Sequence, residues 1–586
     1  MSESKIKKRC VLGMLFLLFF GTTRGVCAPS FGFFSEQDEQ ALMDAFFASR
    51  TVREVPKEAA FGAYLAGSLA KSDMDFKSAA RYHHQAIEKD RENPDLINSL
   101  YALYVLSGQP EKAVPYAHRA LSLGKETIFP ALILFTDAFL HGEKQEALAF
   151  LDGMPADGYL IYLKALCQAW LYTADKKTEP ARQKTEKLIE LPATKMLHQA
   201  LMEDYSGNAQ KAHILFQKLV SMPEAKNAQI LAFVKSFYAR HPDLKPSPLF
   251  QKRYEEVFSE SFVTREMLEN VPRDLTPVTV QKGLALSFFD MAGFVQHFGN
   301  SETALFLSRI ARWLNPQSDI LAFFEAEVLE SMKLLNEADS IYQKAKSGGM
   351  LYYSMKLRQA MNALAKKQPQ KAVDILKKEI DKGAGFPIYY MTMGDAYRDL
   401  EQCDLAIKAY DQSLALLGDV KQPVSAPLHF SKGVCFEKMK QNEAALKSLT
   451  LAANLVPDNP VYLNYLGYLW LETNQKQQEA LALIQRAVQA MPQDGNVLDS
   501  LGWAYYQLGR YEEALPMMEK AVARMAGHAE INAHLGDVYW QLGRYREARF
   551  QWNHALTLEQ GNSETLKKSL KERIEKGLFA GEKGKK

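Results

Sequence analysis

The sequence predicts an all-α protein built as a stack of helical hairpins, an α-solenoid, and three observations indicate this class. The block LGWAYYQLGRYEEA at 501–514 returns as LGDVYWQLGRYREA at 535–548, an offset of 34 residues that is typical of repeat arrays. Steps of twelve residues from glycine to alanine, and of seven from alanine to alanine, recur elsewhere in the chain. Finally, 586 residues with 47% hydrophobic content are too many for one compact core, whereas in a solenoid each repeat contacts only its neighbours.

Small residues define the hairpin in these two blocks. In each block a glycine precedes an alanine by twelve residues, and that alanine precedes a second one by seven. Seven residues are two helical turns, so the two alanines lie on one face and let another helix approach closely. Gly509 and Gly543 fall in the gap between the two helices, where a positive φ ends the first helix. We therefore predict structural roles for Gly502, Ala514, Ala521, Gly536, Ala548 and Ala555.

An aromatic residue, Tyr511 or Tyr545, then opens the second helix of each block. This pattern of small residues followed by an aromatic after the turn resembles the tetratricopeptide repeat. The resemblance implies a right-handed α-solenoid in which the first helix of each hairpin lines a concave groove and the second faces outward. It also implies a protein that holds other molecules.

The same signature, counted backwards, divides the chain into segments. Residues 126–285 fit the period poorly, and residues 223–284 within them are rich in proline, so we expect degenerate hairpins with an irregular join that bends the stack or splits it into two lobes. The predicted segments are a signal peptide at 1–28, an N-terminal helix and repeats at 29–125, divergent hairpins with the irregular join at 126–285, degenerate repeats at 286–386, a well-formed array at 387–558, and a capping helix with a polar tail at 559–586.

The N-terminus has the composition of a secretory signal peptide. Basic residues at 5–9 precede an apolar run from Cys10 to Gly21, and small residues follow up to Ala28, where we expect cleavage. Export to the periplasm is therefore predicted. An uncleaved anchor is an alternative, although the run is shorter than the ~20 apolar residues that span a bilayer. Lipidation at Cys27 is another, although the residues before it depart from the lipobox it would resemble.

Charge argues against a nucleic-acid partner. The chain has 71 basic and 69 acidic residues, of which five basic residues and one acidic residue lie within 1–28. The predicted mature chain therefore has 66 basic and 68 acidic residues and a net charge of −2. A nucleic-acid-binding protein would show a basic patch or stripe. We expect contact with the membrane to be peripheral at most.

No arrangement that catalysis requires stands out. The sequence lacks the motifs of dinucleotide and phosphate binding, of serine hydrolases and of zinc hydrolases. Ser68 and Lys71 fit a bare S-x-x-K pattern without its companion motifs. His528, His534 and His554 have no cysteine or carboxylate at ligand spacing and are interpreted as surface or packing residues. We therefore expect no enzyme, no catalytic residue, no cofactor and no metal site.

Cysteines are few. Cys403 opens a second helix and Cys435 lies in the first helix of the next hairpin, so a bridge between them is geometrically conceivable in an oxidising compartment. Two small buried apolar residues are the preferred interpretation, and the sequence leaves their bonding open.

The predicted groove carries an aromatic strip flanked by carboxylates and an amide. Trp503 stands where the repeat usually has a small polar residue, so we expect an exposed ring that anchors a peptide or protein. For Tyr506 and Trp540 an alternative interpretation is that their rings cover the hairpin below them. The candidate partner-binding residues are Asn464, Tyr468, Asp499, Trp503, Tyr506, Asp537 and Trp540.

These expectations combine into a non-catalytic scaffold that binds proteins or peptides in a bacterial cell envelope, in envelope assembly or export. The alternative is a carbohydrate-binding component of a polysaccharide secretion system, because aromatic rings also stack on sugars. The sequence leaves both open, since aromatics with carboxylates serve either ligand.

Overall fold

The computed structural model describes residues 58–124, 128–155, 158, 160–259, 261–276, 278–418, 423–558 and 564–578. Within these residues every regular element is helical, thirty α-helices and three short 3-10 turns, so the all-α prediction is confirmed. The predicted signal peptide at 1–28 lies outside the described residues, and of the predicted segment 559–586 only 564–578 is described. None of the described helices is long and apolar enough to cross a bilayer.

The chain forms two compact units, one ending at Asn362 and the other beginning at Ala363. We call them unit 1 and unit 2. The helices that begin in unit 1 are α1 Glu58–Ser72, α2 Phe76–Lys89, α3 Pro94–Leu106, α4 Pro110–Leu123, α5 Ile128–Leu140, α6 Lys144–Gly153, α7 Leu160–Ala174, α8 Thr178–Thr185, α9 Pro192–Tyr205, α10 Ala209–Ser221, α11 Ala228–Arg240, α12 Pro248–Phe258, α13 Phe262–Glu269, α14 Val280–His297, α15 Ser301–Leu314, α16 Asp319–Ser331, α17 Leu335–Gln343 and α18 Tyr352–Ala365.

Unit 1 departs from a simple stack because one hairpin packs back onto earlier ones. Consecutive helices pair as hairpins from α1–α2 to α9–α10, and α14–α15 is a further hairpin. Helix α14 also packs against α7 and α9, and α15 packs against α3, α4 and α5. Four of these five are first helices of their hairpins, so α14–α15 lies mainly on the side that these first helices share.

The sequence of α14 explains this position. The helix is buried along most of its length and apolar around most of its circumference, as expected of a helix inside a core. The Phe288 ring stacks on Phe135 of α5 at 6.3 Å between centroids, and Gly283 lies against the Trp170 ring of α7. A buried polar chain also joins α14 to α9, with His198 Nε2 2.9 Å from Asp290 Oδ2.

Unit 2 is a run of hairpins in which each helix packs on the next one in sequence. Polar caps fix where some of the first helices begin, since Asn459 accepts from the N–H groups of Val461 and Tyr462, and Asp494 from those of Asn496 and Val497. The helices are α19 Pro369–Ile380, α20 Pro387–Asp399, α21 Cys403–Leu417, α22 Ala426–Lys438, α23 Asn442–Leu455, α24 Pro460–Glu472, α25 Gln477–Ala490, α26 Gly495–Gln507, α27 Tyr511–Arg524, α28 Ala529–Gln541, α29 Tyr545–Thr557 and α30 Glu564–Lys576.

The small residues of the two repeated blocks lie where helices meet. A Cβ at Gly502 would lie 2.8 Å from Met518 Cγ, and one at Gly536 would lie 2.4 Å from Trp552 Nε1. The alanines are fully buried: Ala514, Ala521, Ala548 and Ala555 are all 0% exposed. Any larger side chain at these positions would push the two helices of a hairpin apart.

The turns follow the predicted chemistry. Gly509 has φ +72°, and its neighbour Arg510 donates its backbone N–H to the Tyr505 carbonyl at 2.9 Å, which ends α26. Gly543 repeats this arrangement after α28, with φ +74°. The free thiols of Cys403 and Cys435 are both buried and share a cluster with Tyr410.

The first prediction concerns this packing. Ala548→Leu inserts three carbon atoms at a fully buried contact, so we expect the free energy of unfolding to fall by ~1–3 kcal/mol. Arg546→Leu, on the exposed side of the same helix, is the matched control and should change little. Denaturant unfolding followed by tryptophan fluorescence measures both. Equal stability of the two variants would mean that the hairpin register is misplaced.

Candidate functional site

The first helices of unit 2 share one side, which we call the inner face and define as the surface formed by α20, α22, α24, α26 and α28. Helix α24 contacts α26, α26 contacts α28, and α20 contacts α22, although a second helix separates each pair in sequence. Among the described residues of unit 2, pairs of second helices show no comparable contact. The hairpins therefore tilt towards one another on the inner face, as in a concave surface.

All seven candidate groove residues lie on three of these helices. Asn464 and Tyr468 belong to α24, while α26 carries Asp499, Trp503 and Tyr506. The remaining two, Asp537 and Trp540, belong to α28. The structure thus brings the set together on neighbouring elements, but it differs from the expectation in how much of each side chain is accessible.

Trp503 is buried, and the expectation of an exposed ring is wrong. Its side chain is 4% exposed. The ring stacks on His534 with centroids 4.1 Å apart and on Tyr506 at 4.8 Å, and Nε1 donates to Glu472 Oε1 at 3.0 Å. The physical reason is the close approach of α24, α26 and α28, which fills the space in front of the ring with side chains of neighbouring repeats.

Tyr506 and Trp540 follow the alternative interpretation, in which they cover their own hairpins. Tyr506 is buried and packs on Tyr511. Trp540 is half-buried, with its ring 4.5 Å from that of Tyr545 and 5.3 Å from that of Trp552. Trp540 Nε1 donates to a backbone carbonyl just after α30, which ties the last described residues to the repeat.

Carboxylates join successive first helices in a regular series, which we call the carboxylate ladder. In each step a carboxylate on one helix accepts a hydrogen bond from a side chain on the next first helix, or on α30 at the end. Partners are 28 to 36 residues apart, about one repeat. The four steps are Glu437 with Tyr465, Glu472 with Trp503, Asp499 with His534, and Asp537 with Arg573.

The ladder changes character along the stack. At the α26–α30 end the donors are basic: His534 Nδ1 lies 3.0 Å from Asp499, and Arg573 lies 2.9 Å from Asp537. Both carboxylates there are buried. At the α22–α26 end the donors are neutral, since Tyr465 donates at 3.2 Å and Trp503 at 3.0 Å.

Apart from Trp540, the candidate residues that are only half-buried lie at the neutral-donor end of the inner face. Asn464, Tyr468, Glu437 and Glu472 are each half-buried. Burial raises the pKa of Tyr468 well above its ordinary value, and the carboxylates of Glu472, Glu530, Asp499 and Glu437 raise it further. Carboxylates on four helices thus contribute to the raised pKa of Tyr468.

Sequence reasoning missed Glu437, Glu472, Tyr465 and Arg573 as members of this site. The signal, a carboxylate followed one repeat later by a donor, is present in the sequence. It forms no recognisable motif, because the donors are a tyrosine, a tryptophan, a histidine and an arginine. His534, interpreted as a surface or packing residue, is a packing residue that also carries an ion pair.

No three histidine, cysteine, aspartate or glutamate side chains among the described residues are grouped as metal ligands. Ser68 and Lys71 both lie on α1.

The second prediction concerns Trp503. Removing a buried indole leaves a cavity, so Trp503→Ala should lower the free energy of unfolding by ~3–5 kcal/mol. Phe550→Ala removes a ring that is 68% exposed and is the control, for which we expect almost no change. Hydrogen exchange of unit 2 peptides, read by mass spectrometry, locates the loss. Unchanged protection around α24–α28 in Trp503→Ala would contradict the packing described.

The third prediction concerns pH. Burial disfavours a charged His534, but Asp499, which accepts its hydrogen bond, and the nearby Glu530 and Asp537 outweigh burial, so its pKa is raised above 6.5. Because the pKa of His534 is higher in the folded than in the unfolded state, protonation of His534 stabilises the fold. This contribution is complete below the unfolded-state pKa of ~6.5 and is lost as pH rises through the folded-state pKa. Unit 2 should therefore become less stable from about pH 6.5 upwards.

Denaturant unfolding between pH 6 and 9 measures this slope in the wild type and in His534→Gln. The glutamine cannot ionise, so its stability should be flatter over this range. A wild-type stability that rises with pH in this window, in parallel with the variant, would show that His534 is neutral in the folded protein.

Comparison with known proteins agrees with this architecture. The family described as tetratricopeptide repeat matches residues 391–460 and 505–564. A tetratricopeptide repeat-containing protein of Pseudomonas aeruginosa is 28% identical over 121 residues, which is 21% of this chain and 20% of that protein. The chain thus spans about a fifth of the length of that relative.

Among solved structures, the APC/C hetero-tetramer Cut9–Hcn1 is 14% identical, with a TM-score of 0.39, and the match covers 92% of this chain and 99% of that one. YrrB, described as a tetratricopeptide repeat protein with an unusual peptide-binding site, is 20% identical with a TM-score of 0.27 over 34% of this chain and 97% of its own. MamA is 18% identical with a TM-score of 0.25 over 28% and 94%. The repeated hairpins and the two family matches together show that residues 391–460 and 505–564 of this chain are tetratricopeptide repeats.

Proposed function

We propose that the chain is a non-catalytic scaffold of the bacterial cell envelope, which binds a protein or peptide partner on the inner face of unit 2 in envelope assembly or export. Tetratricopeptide repeats are protein-binding elements, and the described residues offer a concave surface rather than a reaction centre. The proposal places the partner at α22 and α24.

The observation that carries the proposal is the change in burial along the inner face. At α26 and α28 the protein's own side chains fill the surface, with Trp503 4% and Asp537 2% exposed. At α22 and α24 the side chains of Glu437, Asn464 and Tyr468 remain half-buried. A tyrosine beside polar groups on a concave surface suits a protein partner, because its ring adds contact area at low entropic cost.

Unit 1 supports the same choice. The side shared by its first helices α3, α5, α7 and α9 is covered by the hairpin α14–α15 of the same chain. A partner would have to displace that buried hairpin to bind there. Within the described residues, unit 2 therefore offers the more accessible inner face.

The carbohydrate-binding alternative is less well supported. A sugar-binding platform needs an open aromatic face, and the indole of Trp503, the strongest candidate, is stacked on His534 and Tyr506. The envelope location rests on the N-terminal sequence, which predicts cleavage after Ala28.

Site-specific photo-crosslinking in cells tests the binding surface. A benzophenone amino acid at position 468 should give discrete protein adducts. At position 416, where the side chain of second helix α21 is 47% exposed, it should give few. Equal adducts at both positions, or none at 468, would count against the inner face. A glycan array probed with the mature chain separates the alternative, since glycan binding without protein adducts would favour it.

Export has its own test. Mass spectrometry of the protein purified from envelope fractions should show an N-terminus that begins at Pro29. A chain that still begins at Met1 or Ser2 would rule out the proposed location while leaving the binding surface untouched.

A further inference from the structure

The carboxylate ladder is unevenly neutralised. Its two buried steps each have a basic partner from the protein itself, His534 for Asp499 and Arg573 for Asp537. Its two half-buried steps have neutral donors: the hydroxyl of Tyr465 for Glu437 and the indole N–H of Trp503 for Glu472. A neutral donor satisfies one lone pair but leaves the carboxylate charge in place.

Several carboxylates lie around one ring. Glu437, Glu472, Asp499 and Glu530, which belong to four successive first helices, all raise the pKa of Tyr468. Asp499 has a basic partner in His534, whereas Glu437 and Glu472 have the neutral donors named above. The charges of these two carboxylates lie on a half-buried surface, where they are less screened than on an open face.

An unfilled acceptor lies beside this region. Asn464, one turn before Tyr468 on α24, has its Oδ1 buried with no hydrogen-bond donor among the described residues. A buried acceptor without a donor is costly, so a ligand N–H group that reaches Oδ1, once the side chains that cover this atom move aside, would be favoured at this position. The charge of the carboxylates and the free acceptor therefore both favour a positively charged hydrogen-bond donor.

From this we infer that the partner of the inner face presents lysine or arginine side chains to Glu437, Glu472 and Asn464, within a positively charged peptide segment. Both side chains carry only donors and a positive charge, which matches two carboxylates and one amide oxygen. The phenol ring of Tyr468 adds a surface over which a cation can lie. The basic side chains of this segment would neutralise the carboxylates at α22–α24, as His534 and Arg573 neutralise those at α26–α30. This inference rests on the proposed function, because it specifies the partner of the same surface.

A peptide display library, selected against the full mature chain, tests the inference without knowledge of the natural partner. Peptides that crosslink to a benzophenone at position 468 are the relevant set, and we expect them to be enriched in lysine and arginine. Their affinity should fall as salt rises, because exposed parts of the contact are screened.

The variants are matched for charge. Glu437→Gln with Glu472→Gln keeps an acceptor for Tyr465 and Trp503 while removing two charges, and should weaken binding of the selected peptides about tenfold. Glu479→Gln with Glu512→Gln removes two exposed charges from the second helices α25 and α27, and should leave binding unchanged. Thermal melting of both variants confirms that they fold.

The other outcomes distinguish the two proposals. Neutral or acidic peptides that crosslink at 468, and whose affinity is the same in Glu437→Gln/Glu472→Gln, would overturn the cationic partner while the binding surface stands. Equal weakening in both double variants would also overturn it, because the effect would then be that of net charge. Failure of every selected peptide to crosslink at 468 would remove the binding surface itself.

Discussion

In five hairpins the two helices meet at the same contact, in which a glycine on the first helix receives the side chain that lies sixteen residues later on the second. A Cβ at Gly433 would lie 2.5 Å from Leu449 Cγ, and one at Gly394 would lie 2.4 Å from the Tyr410 ring. Such distances mean that no side chain fits at the glycine. In the described residues this contact recurs as Gly67 with His83, Gly394 with Tyr410, Gly433 with Leu449, Gly502 with Met518 and Gly536 with Trp552.

This constraint sets the geometry from which the candidate site arises. In unit 2 the hairpins α20–α21, α22–α23, α26–α27 and α28–α29 close on such a glycine, and partners on successive first helices lie about one repeat apart. Side chains at matching positions can then reach the next first helix, which produces the carboxylate ladder. The same closeness buries Trp503, so the part of the surface that can bind a partner is shifted towards α22 and α24.

Much of the fold could be predicted from the sequence, because the hairpin contacts are local. Gly509 and Gly543 mark turns, and the fully buried Ala514 and Ala548 mark helix contacts, all through spacings of a few residues. The fold of unit 1 could not be predicted in this way. The contact of His198 with Asp290 joins positions 92 residues apart, and no local sequence pattern around either residue predicts it. The exposure of Trp503 was also beyond local reasoning, since it depends on how closely three separate first helices approach.

The central claim is that the glycine contact holds these five hairpins at their observed spacing, and one double-mutant cycle tests it most directly. Alanine normally favours a helix over glycine by up to ~1 kcal/mol, so without the contact Gly433→Ala should stabilise the protein. We expect instead a loss of ~1–3 kcal/mol from the clash with Leu449. In the Leu449→Ala background the added methyl enters the vacated space, and the same substitution should be neutral or stabilising. An identical change in unfolding free energy in both backgrounds would contradict the account.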